Sequence, residues 1–435
     1  MNSVFLWSVT VALAGFLFGF DTAVISGADQ PLQTLWQTSD WTHGFLVMSS
    51  ALWGTVIGAL LGNWPCDHFG RKKTLFLIGV LYLLSALGSA LANDPYWFSL
   101  LRFIGGLGVG ISSIAAPAYI SEVAPTQSRG RLVALYQFQI VFGILVAFSS
   151  NYVLSEFFTL DWRWMLGIEA LPAILFVLLV TRVPESPRWL LLHKNDEAAC
   201  RAIIQIAEAG RVEEIIDQIK QSATQTASKS LWQKRYSWPI ILAFAIAFFN
   251  QVSGINFIIY FAPRVFSLAG LDESAALLSS AGIGIVNLVA TLLGMLLIDR
   301  LGRRQLLLIG SIGYIATLSA VSWAFATAQG GMMVVLFVFG FIAAHAVGQG
   351  AVIWVFIAEI FPNEVRSKGQ ALGSSTHWVL AASITLVMPA VLGSFEAYQI
   401  FAAFALMMAV QLVFVIKLMP ETRHRSLEEI AQQWA

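Results

Sequence analysis

The sequence predicts an all-α membrane protein: twelve transmembrane helices in two pseudo-symmetric six-helix bundles, with a cytoplasmic helical segment between them. Three observations predict it. Of 435 residues, 57% are hydrophobic and 11% charged, where a soluble domain carries about 25% charged residues, and mean hydropathy is +0.74. Apolar runs long enough to cross a bilayer occur twelve times. The second half of the chain also repeats charged motifs of the first.

In order, spans 1 to 6 fall near 5–27, 44–64, 74–92, 98–118, 130–153 and 162–183. Spans 7 to 12 fall near 239–262, 273–297, 305–326, 332–356, 367–392 and 394–418. The first run lacks a basic leader region, so it reads as a span and not as a signal peptide. Between the sets, over roughly 184–237, the chain turns polar. The spacing of Ile203, Ile204 and Ile206, then Val212, Ile215, Ile216 and Ile219, predicts short amphipathic helices on the membrane surface. Ser222 to Ser230 reads as a flexible linker.

Lys and Arg set the expected orientation. Arg71, Lys72 and Lys73 follow span 2, Arg129 and Arg131 follow span 4, Arg300, Arg303 and Arg304 follow span 8, and Arg366 and Lys368 follow span 10. The opposite loops hold only Arg163 and Arg264. An excess of positive charge marks cytoplasmic loops, which places both termini and the central segment inside the cell. Cys66 and Cys200 then face a reducing compartment, where no disulfide is expected.

The halves repeat. GNWPCDHFGRKK (62–73) answers GMLLIDRLGRRQ (294–305), SEVAPTQSRGR (121–131) answers AEIFPNEVRSKG (358–369), and PESPR (184–188) answers PETRHR (420–425). This predicts an N-terminal bundle over 1–188, a helical linker over 189–237, a C-terminal bundle over 238–420 and a short tail over 421–435. Parallel repeats of this kind imply a central cavity and alternating access by rocking.

Span 7 carries four polar side chains, Asn250, Gln251, Asn256 and Tyr260, in one apolar segment. Water cannot satisfy amides in hydrocarbon, so they face protein, a cavity or a polar ligand. Amides and a phenol together offer donors and acceptors, which suits an uncharged, hydroxyl-rich solute; helix–helix contact is the competing reading. On a straight helix Gln251 and Asn256 stand about 140° apart. A break at Gly254 would turn both toward one cavity. Asp21 and Arg102 also lie within spans. Each is costly alone in a bilayer; a pair is cheaper and a proton can break it, although a purely structural ion pair fits the same residues.

The set GFLFGFDTAVISG, RFIGGLGVG, SEVAP with SRGR, PESPRWL, NQVSGIN, DRLGRR, AEIFP and PET resembles the sugar porter branch of the major facilitator superfamily over essentially the whole chain. It looks most like the bacterial proton–sugar symporters and is related to the animal glucose facilitators. The resemblance implies that Asp21 is the proton carrier and Arg102 its partner. It implies a sugar site from Phe18, Gln137, Asn250, Gln251, Asn256, Tyr260, Asn287, Gly350, Trp354 and Trp378, with indole faces packing on the sugar ring. It also implies a cytoplasmic gating latch from Asp67, Arg71, Glu122 with Arg129, Glu185, Asp299, Arg303, Glu359 with Arg366, and Glu421; topological anchoring is the bland alternative.

Asn250 stands where the family usually has glutamine, a shorter reach to the same hydroxyl, and three further positions depart from the family. The stretch GQGAVIW in span 10 has Ala351 at a usual proline, which puts that helix's hinge in question. His345 stands where phenylalanine is usual, and His377 where glutamine or asparagine is usual. Both histidines belong to the expected site, and they leave the identity of the sugar open.

The function expected is secondary active transport of a hexose or pentose across the plasma membrane, coupled to proton symport. The alternatives are facilitated diffusion, with Asp21 structural, and a transporter-like sugar sensor. The short stretch after Pro420 argues against the sensor, which needs a docking tail. The expected partners are a monosaccharide, the proton and the lipid bilayer, with a monomeric chain. A formal net charge of +0 gives no argument for nucleic acid. No nucleophile–base set, metal cluster or cofactor motif emerges, so no enzyme activity, metal or cofactor is expected.

Overall fold

A string of Leu, Ile, Val and Phe without water to compete must close its backbone hydrogen bonds within itself, and the chain does so as helix. The computed structural model describes residues 2–158, 161–224, 230–362 and 364–423, and every regular element among them is helical. Eleven helices are apolar and long enough to cross a membrane: Ser3–Gly27, Arg71–Leu91, Pro95–Val123, Arg129–Phe158, Trp162–Val180, Lys234–Leu268, Glu273–Leu301, Arg303–Ala326, Met332–Ile360, Arg366–Ser394 and Ala397–Lys417. A twelfth, span 2, is the pair Asp40–Met48 and Ser50–Leu61, bent by 43°. The twelve expected spans are therefore present. Most of the 222–230 linker and the tail beyond Arg423 lie outside the described residues.

Helix ends follow local chemistry. Asp94 caps span 4 by accepting from the amides of Tyr96 and Trp97, both at 3.0 Å, with Pro95 in the first turn. Asp272 caps span 8 through the Ala275 amide at 2.8 Å. Span 7 is interrupted as the sequence anticipates: one helix ends at Val252, the next begins at Ile255, and Gly254 sits between them at φ 86°. A side chain is strained there, which is why glycine occupies the break. In span 10, where proline was missing, a π-helical turn over Ala346–Gly350 supplies the irregularity. The irregularity thus exists without proline.

The contacts divide the chain into two units. The first comprises Met1–Thr22, Ser50–Ile144 and Arg163–Ala227; the second comprises Ala23–Ser49, Leu145–Trp162 and Ser228–Ala435. The core of the first is apolar and aromatic, with Leu17, Ile78, Tyr82, Tyr119 and Phe176 fully buried. Three surface helices, Pro187–Lys194, Glu197–Glu208 and Val212–Thr224, follow span 6 in the same unit. Leu191, Cys200, Ile204, Val212 and Ile216 form their small core, against which Ile215 and Ile219 pack. Ile206 was expected on that apolar face but is 50% exposed, because it falls on the outer side of the helical turn.

In the second unit, the start of span 2 meets span 11 backbone to backbone. A Cβ on Gly44 would lie 1.9 Å from the carbonyl oxygen of Leu386, so only glycine allows the approach.

Candidate functional site

In the first unit, span 1 carries Asp21 and span 4 carries Arg102, each 2% exposed. Arg102 Nη1 donates to Asp21 Oδ1, and Nη2 donates to the Asp21 carbonyl oxygen at 3.1 Å. One guanidinium therefore grips both the side chain and the backbone of the same residue. A second buried acid joins them. Glu169 is 1% exposed, immediately precedes the helix Ala170–Val180 without capping it through its side chain, and has its carboxyl beside that of Asp21. Sequence reasoning missed Glu169. The signal was a lone acid in the apolar run IEALPAILF of span 6.

The second unit holds the amides of span 7. The break at Gly254 brings together two side chains that a straight helix would separate: Asn256 Nδ2 donates to Gln251 Oε1 at 2.8 Å. Gln251 Nε2 donates in turn to Asn250 Oδ1 at 3.0 Å and points to His377 Nδ1 at 3.1 Å. His377 sits between the rings of Trp354, at 5.0 Å between centroids, and Trp378, at 4.8 Å. Asn250, Gln251, Asn256, His377, Trp354 and Trp378 thus form one cluster. Trp354 keeps 39% of its surface exposed and can offer a ring face to a ligand.

The remaining expected residues stand outside that cluster. His345 is held through Nδ1 by the Tyr314 hydroxyl of span 9, with Gly350 close by: a Cβ there would lie 3.6 Å from His345 Nε2. Asn287 accepts from Thr291 on its own helix at 3.4 Å. Tyr260 is buried at 2% exposure. Phe18 and Gln137 belong to the first unit, where both are half-buried.

The charged motifs build the same arrangement once in each unit. Arg71 donates through Nε and Nη2 to Glu122 at 3.1 and 3.0 Å and through Nη1 to Asp67 at 3.2 Å. Arg303 does the same with Glu359, at 3.1 and 2.8 Å, and with Asp299 at 3.3 Å. Glu185 accepts from the amides of Arg71 and Lys72 at the start of span 3; Glu421 accepts from those of Arg303 and Arg304 at the start of span 9. Acids there complement the positive helix end. The expected pairing of Glu122 with Arg129 and Glu359 with Arg366 is corrected. A planar guanidinium at the first turn of the preceding span matches each carboxylate fork better, Arg129 is exposed, and Arg366 donates to the Phe361 carbonyl.

A further charged group, in the second unit, was not anticipated. Asp29 and His43 are buried and 2.8 Å apart. Arg264 lies 3.5 Å from Asp29 and donates to Gln33 Oε1 at 3.0 Å. Gln33 Nε2 donates to Asp40 at 2.7 Å. Asp29 and Gln33 lie on the short helix Asp29–Trp36 between spans 1 and 2, Asp40 and His43 at the start of span 2, and Arg264 on span 7, all at the ends away from the basic motifs. A cavity of about 540 Å³ is lined from the same segments, by Gln30, Thr34 and Pro263 among others.

Twelve apolar helices, a broken span lined with amides and a sealed acid–base site define a multi-span membrane carrier. The family model described as "Sugar (and other) transporter" matches residues 7–434, and the chain belongs to that family. It is 35% identical over 445 residues to an arabinose-proton symporter of Bacillus subtilis, covering 100% of this chain and 96% of that one. It is 34% identical over 435 residues to the glucose transporter GlcP of Staphylococcus epidermidis, covering 96% and 94%. Among solved structures it is similar to the inward open conformation of the xylose transporter XylE from E. coli, with a TM-score of 0.88, 31% identity, and coverage of 99% of this chain and 100% of that one.

Proposed function

We propose that this protein carries a monosaccharide, a hexose or pentose, across the plasma membrane by alternating access, together with a proton. The observation that carries this reading is the sealed set of Asp21, Arg102 and Glu169. One guanidinium balances one carboxylate; a second carboxyl in the same dry site needs a proton, since an uncompensated buried charge is expensive. Proton occupancy and the position of Arg102 are therefore linked. Any motion that parts Arg102 from Asp21 makes a proton there more favourable. The named relatives support the sugar class, because one is an arabinose-proton symporter and another a glucose transporter.

The sugar is held by Gln251, Asn256, Asn250 and Tyr260, stacked on Trp354 and Trp378, with Phe18, Gln137, Asn287, His345, Gly350 and His377 completing the site. Sugar hydroxyls replace amide–amide bonds of the kind Gln251 now makes, an exchange of like for like that keeps release possible. The Arg71 and Arg303 networks act as cytoplasmic gating elements. We further propose repeat bundles over 1–188 and 238–420, joined by the linker 189–237, with both termini and the basic motifs on the cytoplasmic side. One chain carries the whole set of sites, so the monomer is the transporting unit.

The test uses the purified chain in proteoliposomes with an imposed pH gradient, acid outside, and a panel of labelled hexoses and pentoses. Accumulation above equilibrium that collapses when a protonophore is added is the expected result. Equilibration without accumulation for every sugar would replace symport with facilitated diffusion.

A further inference from the structure

Three buried hydroxyls lie on one face of span 3. Thr22, Thr55 and Thr74 each donate to a backbone carbonyl four residues back, at 2.8, 2.9 and 2.7 Å. That is the usual way for a helix in an apolar setting to satisfy a hydroxyl. Tyr82, Ser85 and Ser89 do not: each is at most 1% exposed, the Ser85 and Ser89 oxygens lack a hydrogen-bond partner, as do those of Ser8 and Ser50, and the Tyr82 hydroxyl neighbours Ser112. Their spacings of three and four residues stack them along one side of the helix.

The stripe leads to the acid–base site. A Cβ on Gly105 would stand 2.3 Å from Ser85 Oγ and 3.8 Å from Asp21 Oδ1. Those two oxygens are therefore within about 6 Å of each other, a gap one water bridges. Any side chain at position 105 would fill that gap. Tyr82 feels the charges of Asp21 and Glu169, and Glu169 Oε1 is itself a buried oxygen without a partner. In the other direction Ser89 lies one half-turn from the end of the helix at Leu91, which is 74% exposed. Arg163 holds that end by donating to the carbonyls of Ala90 and Ala92 at 2.7 and 2.9 Å. This is the end of span 3 opposite Arg71, the outer one in the orientation proposed above.

We propose that Ser89, Ser85 and Tyr82 form a proton inlet from the outer face to Asp21 and Glu169, separate from the route of the sugar. Hydroxyls both donate and accept, so a bridged row of them relays protons without changing its own charge. A proton from external water enters at Ser89. Each hydroxyl releases one proton as it takes one, and the last passes to the Asp21 or Glu169 carboxyl. The facing charged groups are Asp21, Arg102 and Glu169 at the inner end and Arg163 at the outer end. The inlet rests on the proton-symport reading and adds the path that loads it.

The experiment compares wild type with Ser85→Ala/Ser89→Ala and with Ser85→Thr/Ser89→Thr, each as the full chain in vesicles loaded with a pH dye. In the alanine pair, proton influx on sugar addition should slow about tenfold, while sugar–sugar exchange and sugar affinity stay at wild-type values. The threonine pair keeps both hydroxyls and should stay within about twofold of wild type. Wild-type proton influx in the alanine pair overturns the inlet and leaves symport standing. No sugar-linked proton influx in wild type overturns symport itself. Should the alanine pair also lose exchange, Ser89→Ala alone decides by the same criterion.

Discussion

The imidazole Nε2 of His43 lies 2.8 Å from a carboxylate oxygen of Asp29, and both side chains are sealed from solvent. Asp29 can only accept when ionised, so Nε2 carries the hydrogen and Nδ1 faces the Thr38 hydroxyl at 3.4 Å. Arg264 on span 7 supplies the compensating charge. The short helix after span 1, the start of span 2 and span 7 are thus tied by one buried carboxylate.

Removing that tie should loosen the ends of these helices that lie away from the basic motifs. Arg264→Gln leaves Asp29 buried beside His43 with its main counter-charge gone, the costly way to break a buried pair. We expect a lower melting temperature in detergent and faster labelling by an impermeant maleimide of a cysteine placed at Gln30, which lines the neighbouring cavity. Unchanged labelling and melting would reduce the network to a packing detail.

Asp21→Asn keeps the shape of the acid and fixes it in a neutral form. It should abolish accumulation driven by a pH gradient while retaining sugar–sugar exchange, because exchange needs no net proton release. Accumulation that persists in Asp21→Asn would move the proton site to Glu169, the other carboxyl of the same pocket.

Gln251→Ala and Asn256→Ala remove, respectively, a buried and a half-buried partner from the hydrogen-bonded chain of span 7. Sugar affinity should fall by about 1–3 kcal/mol, roughly 5- to 150-fold in Kd, with expression retained. Titration calorimetry on the purified variants reads this directly, and wild-type Kd in both would remove the sugar site from span 7.

His377 accepts from Gln251 and touches two tryptophans. His377→Gln preserves an acceptor, so transport should survive with an altered preference among sugars. His377→Phe leaves the Gln251 donor unmatched and should cost affinity for every sugar. A competition panel giving one identical profile for all three proteins would assign His377 to packing alone.

Arg303→Lys keeps the charge but loses the fork that spans both oxygens of Glu359. Melting should drop by an amount corresponding to about 1–3 kcal/mol, and Arg71→Lys, facing Glu122, should behave alike. A difference between the two would show that the repeated motifs have diverged in role.

By itself the sequence determined the spans, the break in span 7 and the doubled charged motifs. Those features are local: apolar length forces a helix in lipid, a glycine at positive φ interrupts it, and an acid or proline marks its start. It also named Asp21 and Arg102, because an ion within an apolar run needs a partner whatever the fold. For the other charges, only the tertiary structure decided which partner each takes. Arg71 reaches Glu122, 51 residues away, and Arg264 reaches Asp29, 235 residues away. Glu169 joins Asp21 from another helix. Such pairings depend on how helices cross, which is set by side-chain packing over whole surfaces and leaves no period along the chain.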